Sequence, residues 1–135
     1  MRHIKTLVYW KDVPGYEGYY QVNQFGKFRR ILKSGKTKDK PYHKGNRGDY
    51  NYIRLHKDGN WEELQVHRIV AKAFLPNPDN LPEVDHVNNI ASDNRVCNLQ
   101  WISSEKNKKK RWLDEYLNKI KEYENKIKAL GEIFP

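Results

Sequence analysis

Apolar and polar residues alternate along residues 8–30, with turn-forming glycines and a proline between them. This pattern predicts short strands joined by tight turns, with Tyr20, Val22 and Phe28 on strands and residues 23–26 as a turn. The next stretch, residues 31–50, is basic, contains three glycines and holds almost no aliphatic side chains. We expect that stretch to be a loop or linker.

A β-hairpin and a short helix are predicted next. Residues 51–56 and 61–66 are strand-like and flank an Asp58-Gly59 pair, which is a strong turn signal. From Val66 to Phe74 the apolar residues recur at helical spacing, and prolines two and four residues later end the helix. We expect this helix to pack on the hairpin.

A second hairpin and a longer helix follow. Two strand-like stretches within residues 82–102 are separated by the polar loop Asn88–Asn94. Ser103 or Ser104 can cap the helix, and Glu105 lies in its first turn, where a carboxylate favours the helix dipole. Strand, loop, strand and helix in this order form a ββα unit.

The C-terminal part of the chain carries one apolar stripe, whose residues are spaced alternately by three and four positions. The stripe predicts a helix of about 25 residues, which is shorter than a firmly assigned coiled coil. It packs either against its own domain or against a second copy of the chain, and the sequence leaves both alternatives open. Its residues are Leu113, Tyr116, Ile120, Tyr123, Ile127 and Leu130.

The composition of the chain indicates the charge of its binding partner. Of the 135 residues, 37% are hydrophobic, 32% charged and 13% aromatic, so the chain folds around a small core. The formal net charge is +9. Residues 1–111 hold 22 Lys and Arg against 12 Asp and Glu, or +10, whereas residues 112–135 hold 4 against 5, or −1. The first part therefore attracts polyanions, with nucleic acid favoured over an anionic membrane.

Several classes of protein are disfavoured. No apolar run is long enough to span a membrane, and the N-terminal residues lack a secretory cleavage pattern, so we expect an intracellular protein without a membrane partner. The single cysteine, Cys97, can form no internal disulfide, and we interpret it as a packing residue. A structural zinc module is a weak alternative because the chain lacks the necessary Cys and His pairs.

Four polar residues fall at the corners of the ββα unit: Asp85 and His86 on its first strand, Asn98 at its second strand and Asn107 in its helix. Phosphodiester hydrolysis needs an activated water and positive charge beside the phosphate. Histidine suits the general base because imidazole titrates near neutral pH. Carboxylate and amide oxygens, as in Asp85 and Asn107, suit Mg²⁺.

The Asp85-His86 pair poses a geometric problem. Adjacent residues on a regular strand point to opposite faces, whereas both are needed at one site. We therefore expect the strand to end or bulge there. The alternative interpretations are a surface pair for Asp85 and His86, a loop cap for Asn98, and a solvent-facing helix residue for Asn107.

Residues 52–110 resemble an HNH nuclease domain of the phage and homing-endonuclease branch. An N-terminal segment resembles the small module that often precedes that domain in the same branch. The segments that carry the resemblance are VHRIVAKAF, PEVDHVNN, NRVCNLQWI and SSEKN for the nuclease domain, and WKDVPGYEGYYQVNQFGKFRR for the module.

The resemblance implies a role for each of the four residues. His86 would be the general base, and Asn98 would tie the loop and orient that base. Asp85 and Asn107 would bind one divalent metal, Mg²⁺ or alternatively Mn²⁺. The implied activity is metal-dependent cleavage of double-stranded DNA, leaving 5′-phosphate and 3′-hydroxyl ends, by a phage-encoded protein in a bacterial host.

The implied fold is α+β, with a ββα-metal core, an N-terminal β module and a C-terminal helix. We divide the chain into an N-terminal β-rich module at 1–34, a basic linker at 35–50, the HNH nuclease domain at 51–111 and a C-terminal amphipathic helix at 112–135. A monomer with one site would nick DNA, and a homodimer through the Leu113–Leu130 helix would cut both strands.

Basic residues around this core are candidate DNA contacts, and His67 is interpreted as a structural hydrogen-bonder. The alternative function is a DNA-binding or packaging accessory that keeps the fold without chemistry, since a charge of +10 suits either role. Divalent-dependent cleavage distinguishes the two. The candidate DNA contacts are Lys27, Arg29, Arg30, Arg68, Lys108, Lys109, Lys110 and Arg111.

Overall fold

The computed structural model describes residues 6–45 and 48–133. Residues 1–5, 46–47 and 134–135, which belong to the predicted module, linker and C-terminal helix, lie outside the described residues. The chain is α+β, as predicted. The strands are β1 (Trp10–Asp12), β2 (Tyr20–Asn23), β3 (Phe28–Ile31), β4 (Thr37–Lys40), β5 (His43–Lys44), β6 (Asn51–Lys57), β7 (Asn60–Gln65), β8 (Glu83–His86) and β9 (Leu99–Ile102), and the α-helices are α1 (Val66–Phe74) and α2 (Ser104–Ile133).

The first four strands form an antiparallel sheet in the order β1-β2-β3-β4. Val22 on β2 lies opposite Phe28 on β3, and both side chains are buried. The Asn23 side chain closes the intervening turn, because its Oδ1 accepts from the backbone of Phe25 at 2.9 Å and of Lys27 at 3.0 Å. The predicted strand positions and turn are confirmed.

The expectation of a loop over residues 31–50 is wrong in part. Residues Thr37–Lys40 form β4 and pair with β3, while His43–Lys44 form β5 and pair with β6. A tight turn reverses the chain before β4: Leu32 N–H donates to Lys36 O at 2.8 Å, and Gly35 adopts φ +84°. An edge strand is held by backbone hydrogen bonds and tolerates lysines on its exposed side, so it needs no aliphatic pattern.

The second sheet has the order β5-β6-β7. Its predicted hairpin is confirmed, and both central turn residues have positive φ, 52° at Asp58 and 80° at Gly59, as the tightest hairpin turns require. Helix α1 follows directly and buries Val66, Ile69 and Val70, which confirms its predicted apolar face.

The described residues fall into two compact units, one ending at Trp101 and the other beginning at Ile102. In the first unit a single core joins the N-terminal sheet, the hairpin, α1 and β8, through residues such as Val22, Ile53, Val70 and Val84. Cys97 is exposed, so its interpretation as a packing residue is wrong. Neither helix in residues 6–45 and 48–133 is long and apolar enough to cross a membrane.

In the second unit, α2 continues without a break across the predicted boundary between 111 and 112. Ser103 is the residue that caps it, because its Oγ accepts from Lys106 N–H at 3.2 Å. Five of the six stripe residues are exposed, from 48% at Leu113 to 68% at Ile127. Both alternative partners of the stripe, and the division of the chain into four segments, remain predictions.

Candidate active site

Strand β8 carries the Asp85-His86 pair to its last two positions. Val84, Asp85 and His86 are all buried, and the strand ends at His86. The backbone then turns: Asn89 N–H donates to His86 O at 2.9 Å, and Asn89 itself has a φ of 63°. The prediction that the strand ends at this pair is confirmed, so the alternation of a regular strand stops at His86.

The Asp85 carboxylate is held from the neighbouring strand. Gln100 on β9 donates its Nε2–H to Asp85 Oδ2 at 2.8 Å. This hydrogen bond fixes the plane of a carboxylate that is only 8% exposed. Asp85 is thereby a buried, oriented carboxylate rather than a mobile surface charge, which suits an oxygen ligand.

The His86 ring is held from the loop. Its Nε2 lies 2.9 Å from the side-chain oxygen Oδ1 of Asn94, and both residues are buried. With the amide oxygen as the acceptor, the imidazole nitrogen Nε2 is the donor in this contact. Asn94 was missed in the sequence, where it is one of several asparagines in a polar loop and carries no distinguishing pattern.

Asn98 ties the two ends of that loop together. Its Oδ1 accepts from Asn88 N–H at 3.0 Å, while its Nδ2 donates to Asn88 Oδ1 and to Asp93 O, both at 2.9 Å. The structure thus places Asn98 in the loop-tying position, although it lies in a 3₁₀ turn (Val96–Asn98) rather than on β9 as expected. Its predicted catalytic role remains a prediction, and the amide that contacts the His86 ring belongs to Asn94.

An ion pair further stiffens the loop. Arg95 donates from Nε to Asp93 Oδ1 and from a terminal nitrogen to Asp93 Oδ2, each at 2.8 Å. The guanidinium holds the pKa of Asp93 well below its usual range. Asn88 also donates to Asp93 Oδ2, so the segment between β8 and β9 is cross-linked at several points.

The rings of Tyr50, His67 and His86 form a cluster. His67 stacks on Tyr50 with ring centroids 5.0 Å apart, and its centroid lies 4.9 Å from that of His86. Burial, assisted by the neighbouring His86 and Arg68, lowers the pKa of His67 to about 4. Its buried Nδ1 has no hydrogen-bond partner within the described chain, so the hydrogen-bonding role predicted for His67 is not met at that atom.

Asn107 lies in the second unit, in the early turns of α2, where its backbone N–H donates to Ser103 O at 3.0 Å. Asp85, His86 and Asn98 are brought together within the first unit. The assignment of Asn107 as a metal ligand remains a prediction. Within residues 6–45 and 48–133, no group of three or more His, Cys, Asp or Glu side chains is placed to hold a metal ion.

The candidate DNA contacts are spread over several elements. Lys27 and Arg30 are exposed near β3, whereas Arg29 donates to Gln21 Oε1 at 2.8 Å and lies over the Trp10 ring at 4.0 Å. Arg68 is half-buried on α1. On α2, Lys108, Lys109 and Arg111 are exposed, Lys110 is half-buried, and Lys109 pairs with Glu105 at 3.4 Å.

Comparison with known proteins identifies two family matches. Residues 9–56 match the NUMOD4 motif, and residues 64–109 match an HNH endonuclease family. The NUMOD4 match extends through the stretch predicted to be a linker. Both parts of the resemblance inferred from the sequence are confirmed.

Two relatives illustrate the similarity. The chain is 39% identical over 98 residues to the DNA endonuclease I-HmuI of Bacillus phage SP01, covering 73% of this chain and 54% of that protein. It is 36% identical over 103 residues to an uncharacterized HNH endonuclease of Acanthamoeba polyphaga mimivirus, covering 73% of this chain and 24% of that protein. The chain therefore spans about half or less of these relatives' length.

A solved structure agrees with the sequence comparisons. The structure described as "DNA binding and cleavage by the HNH homing endonuclease I-HmuI" superposes with a TM-score of 0.67 at 32% identity. The match covers 87% of this chain and 68% of that one.

Proposed function

This chain belongs to the HNH endonuclease family, and from that premise we propose that it hydrolyses phosphodiester bonds in double-stranded DNA with a divalent cation. The observation that carries the proposal is the buried Asp85-His86 pair at the end of β8, with each side chain held by a different element. The similarity to a phage endonuclease favours a phage gene that acts inside a bacterial host.

His86 is the proposed general base. Its Nε2–H is engaged by Asn94, so Nδ1 is the atom that takes a proton from the attacking water. The water oxygen forms a bond to phosphorus as the bond to the 3′ oxygen breaks. The released 3′ oxygen takes a proton from solvent water, which leaves 5′-phosphate and 3′-hydroxyl ends. Asn98 supports this geometry by holding the loop that carries Asn94.

Asp85 and Asn107 are the proposed metal ligands. A carboxylate oxygen and an amide oxygen suit Mg²⁺, with Mn²⁺ as an alternative, because such hard cations keep water and phosphate in their remaining positions. The hydrogen bond from Gln100 to Asp85 Oδ2 orients the carboxylate for this task. A bound cation would supply positive charge to the phosphate and to the leaving oxygen.

Plasmid cleavage by the full chain tests the proposal. With Mg²⁺ or Mn²⁺, we expect His86→Ala to cut supercoiled plasmid at least about 100-fold more slowly than the parent, with DNA binding retained. His43→Ala is the matched control, because His43 is exposed and pairs with Glu63 on the second sheet. Equal cleavage by His86→Ala and the parent would overturn the assignment of the base. If the parent chain binds DNA but does not cleave it with either metal, the result would favour a non-catalytic DNA-binding accessory.

The number of strands cut depends on the number of chains. One site makes one cut, so we propose nicking by a monomer. A homodimer through the exposed Leu113–Leu130 stripe would cut both strands. Sedimentation of the full chain, measured alongside the ratio of nicked to linear plasmid, distinguishes a nicking monomer from a homodimer that cuts both strands.

A further inference from the structure

The Asn94 side chain makes a buried hydrogen bond with the proposed base. Asn94 is 3% exposed and His86 is 6% exposed, and their side chains meet at 2.9 Å. A hydrogen bond at one imidazole nitrogen fixes both the tautomer and the rotation of the ring. Whatever fixes Asn94 therefore also fixes the direction in which His86 presents its lone pair.

Asn94 is in turn braced by the N-terminal sheet. Gly26, in the turn between β2 and β3, lies against it so closely that a Cβ atom there would be 2.8 Å from Asn94 O and 3.1 Å from Asn94 Cβ. Carbon atoms do not approach a carbonyl oxygen that closely, so any larger residue would push the Asn94 backbone away. The glycine is required by this contact as well as by its φ of +77°.

The bracing turn is itself rigid and bonded to the same loop. The buried Asn23 closes it with two side-chain hydrogen bonds, and Gly26 N–H donates to Asn23 O at 3.0 Å. Gln24 O then accepts from Val96 N–H at 2.9 Å, two residues beyond Asn94. The turn thus contacts the loop by packing at Asn94 and by a hydrogen bond at Val96.

We propose that Asn94 is a positioning residue for His86, and that the β2–β3 turn, residues 23–26, sets the place of Asn94. The N-terminal module then acts as part of the catalytic machinery, in addition to any role in binding DNA. The inference rests on the proposed function, because it assumes that His86 is the base.

Variants of Asn94 test the first half. Asn94→Ala removes the acceptor, and we expect the single-turnover cleavage rate of the full chain to fall by about 10- to 100-fold while the DNA concentration for half-maximal rate stays within about 2-fold. Asn94→Asp keeps an acceptor oxygen at the same place and should recover most of the rate. Wild-type rates from Asn94→Ala, or an equal loss from Asn94→Asp, would overturn the proposal.

A matched pair of glycine variants tests the second half. Gly26→Ala must displace Asn94, whereas Gly18→Ala has the same left-handed backbone, with φ +81°, and no atom within 4 Å of the added Cβ. Both variants bear a similar backbone cost. We expect only Gly26→Ala to lower the cleavage rate, by about 10-fold. Equal rates for the two variants would exclude the bracing role.

Combining the changes separates positioning from general destabilisation. If Gly26 acts through Asn94, adding Gly26→Ala to the Asn94→Ala variant should lower the cleavage rate by less than about 2-fold. Full additivity would contradict that coupling. The proposed function is tested independently, because parent-like cleavage by His86→Ala rejects the base, whereas loss in His86→Ala with none in Asn94→Ala rejects only the positioning role.

Discussion

At the scale of single residues, Asp85 and His86 are held by hydrogen bonds that come from different parts of the chain. Gln100 on the adjoining strand holds the carboxylate, and Asn94 in the connecting loop holds the imidazole. The proposed ligand and the proposed base can therefore be oriented separately even though they are neighbours in sequence. This separation predicts that the two contacts can be lost with different kinetic consequences.

Loss of the Gln100 side chain should weaken metal binding. We expect Gln100→Ala to raise the Mg²⁺ concentration for half-maximal cleavage by about 10-fold, because residues that orient a ligand typically contribute that much. The maximal rate at saturating Mg²⁺ should change little. A metal titration of plasmid cleavage measures both quantities, with Gln21→Ala, whose partner is Arg29, as the control. An unchanged Mg²⁺ requirement would contradict the prediction.

His67 should make stability depend on pH. Its pKa is lowered to about 4 in the folded protein, against 6.5 ordinarily, so between these values the unfolded chain binds more protons. The free energy of unfolding should therefore fall as pH decreases through this window, by about 2 kcal/mol between pH 7 and pH 5.

Urea unfolding at the two pH values measures this effect. His67→Phe keeps an aromatic ring beside Tyr50 and cannot take up a proton, so its unfolding free energy should lose that pH dependence. The same slope in the parent and in His67→Phe would assign the pH dependence to other groups.

At the scale of secondary structure elements, the sequence predicts an element best where the pattern that specifies it lies within that element. The Asp58-Gly59 turn and the apolar spacing of α1 both act within a few residues, and both were predicted with their bounds nearly correct. Strand β4 has no such signal, because lysines and a threonine suit an exposed edge as well as a loop. The Ser34-Gly35 pair before it was the available turn signal.

The start of α2 offers a prediction at this scale. Ser103 Oγ accepts from Lys106 N–H, so Ser103→Ala should destabilise the helix by about 1 kcal/mol. Ser104→Ala is the control, because Ser104 is already the first helical residue. Helix content, followed by circular dichroism at 222 nm during thermal unfolding, measures the difference. Identical unfolding of the two variants would show that the cap contributes nothing.

At the scale of the whole molecule, charge and catalytic groups are distributed differently. The net charge of +9 comes from residues spread along the first 111 positions, whereas the proposed base and one proposed metal ligand lie at the end of β8. Contacts with DNA phosphates release counterions, so binding should weaken steeply as salt increases. Affinity and cleavage should then respond to different substitutions.

The exposed Arg30 on β3 is a suitable test of the charge. Arg30→Ala should reduce the slope of log affinity against log salt by about 1, the value for one lost phosphate contact, without changing the cleavage rate at saturating DNA. Lys121→Ala is the control, since it lies in the part of α2 where the charges nearly cancel. Equal slopes of log affinity against log salt for the two variants would show that Arg30 does not contact DNA.

The sequence by itself determined the hairpin, α1 and the ββα order, and it singled out the Asp85-His86 pair as the candidate site. These depend on residue spacing and turn chemistry, which act over short stretches and are written in the local pattern. Family resemblance added roles for Asp85, His86, Asn98 and Asn107, and all four roles remain predictions.

Only the tertiary structure decided that Asn94 contacts His86, that Tyr50 and His67 stack beside it, and that Gly26 braces the loop. These contacts join residues far apart along the chain, and they arise because one core packs the N-terminal sheet and β8 together. No periodicity marks such a contact, because which asparagine reaches the base depends on how the elements pack.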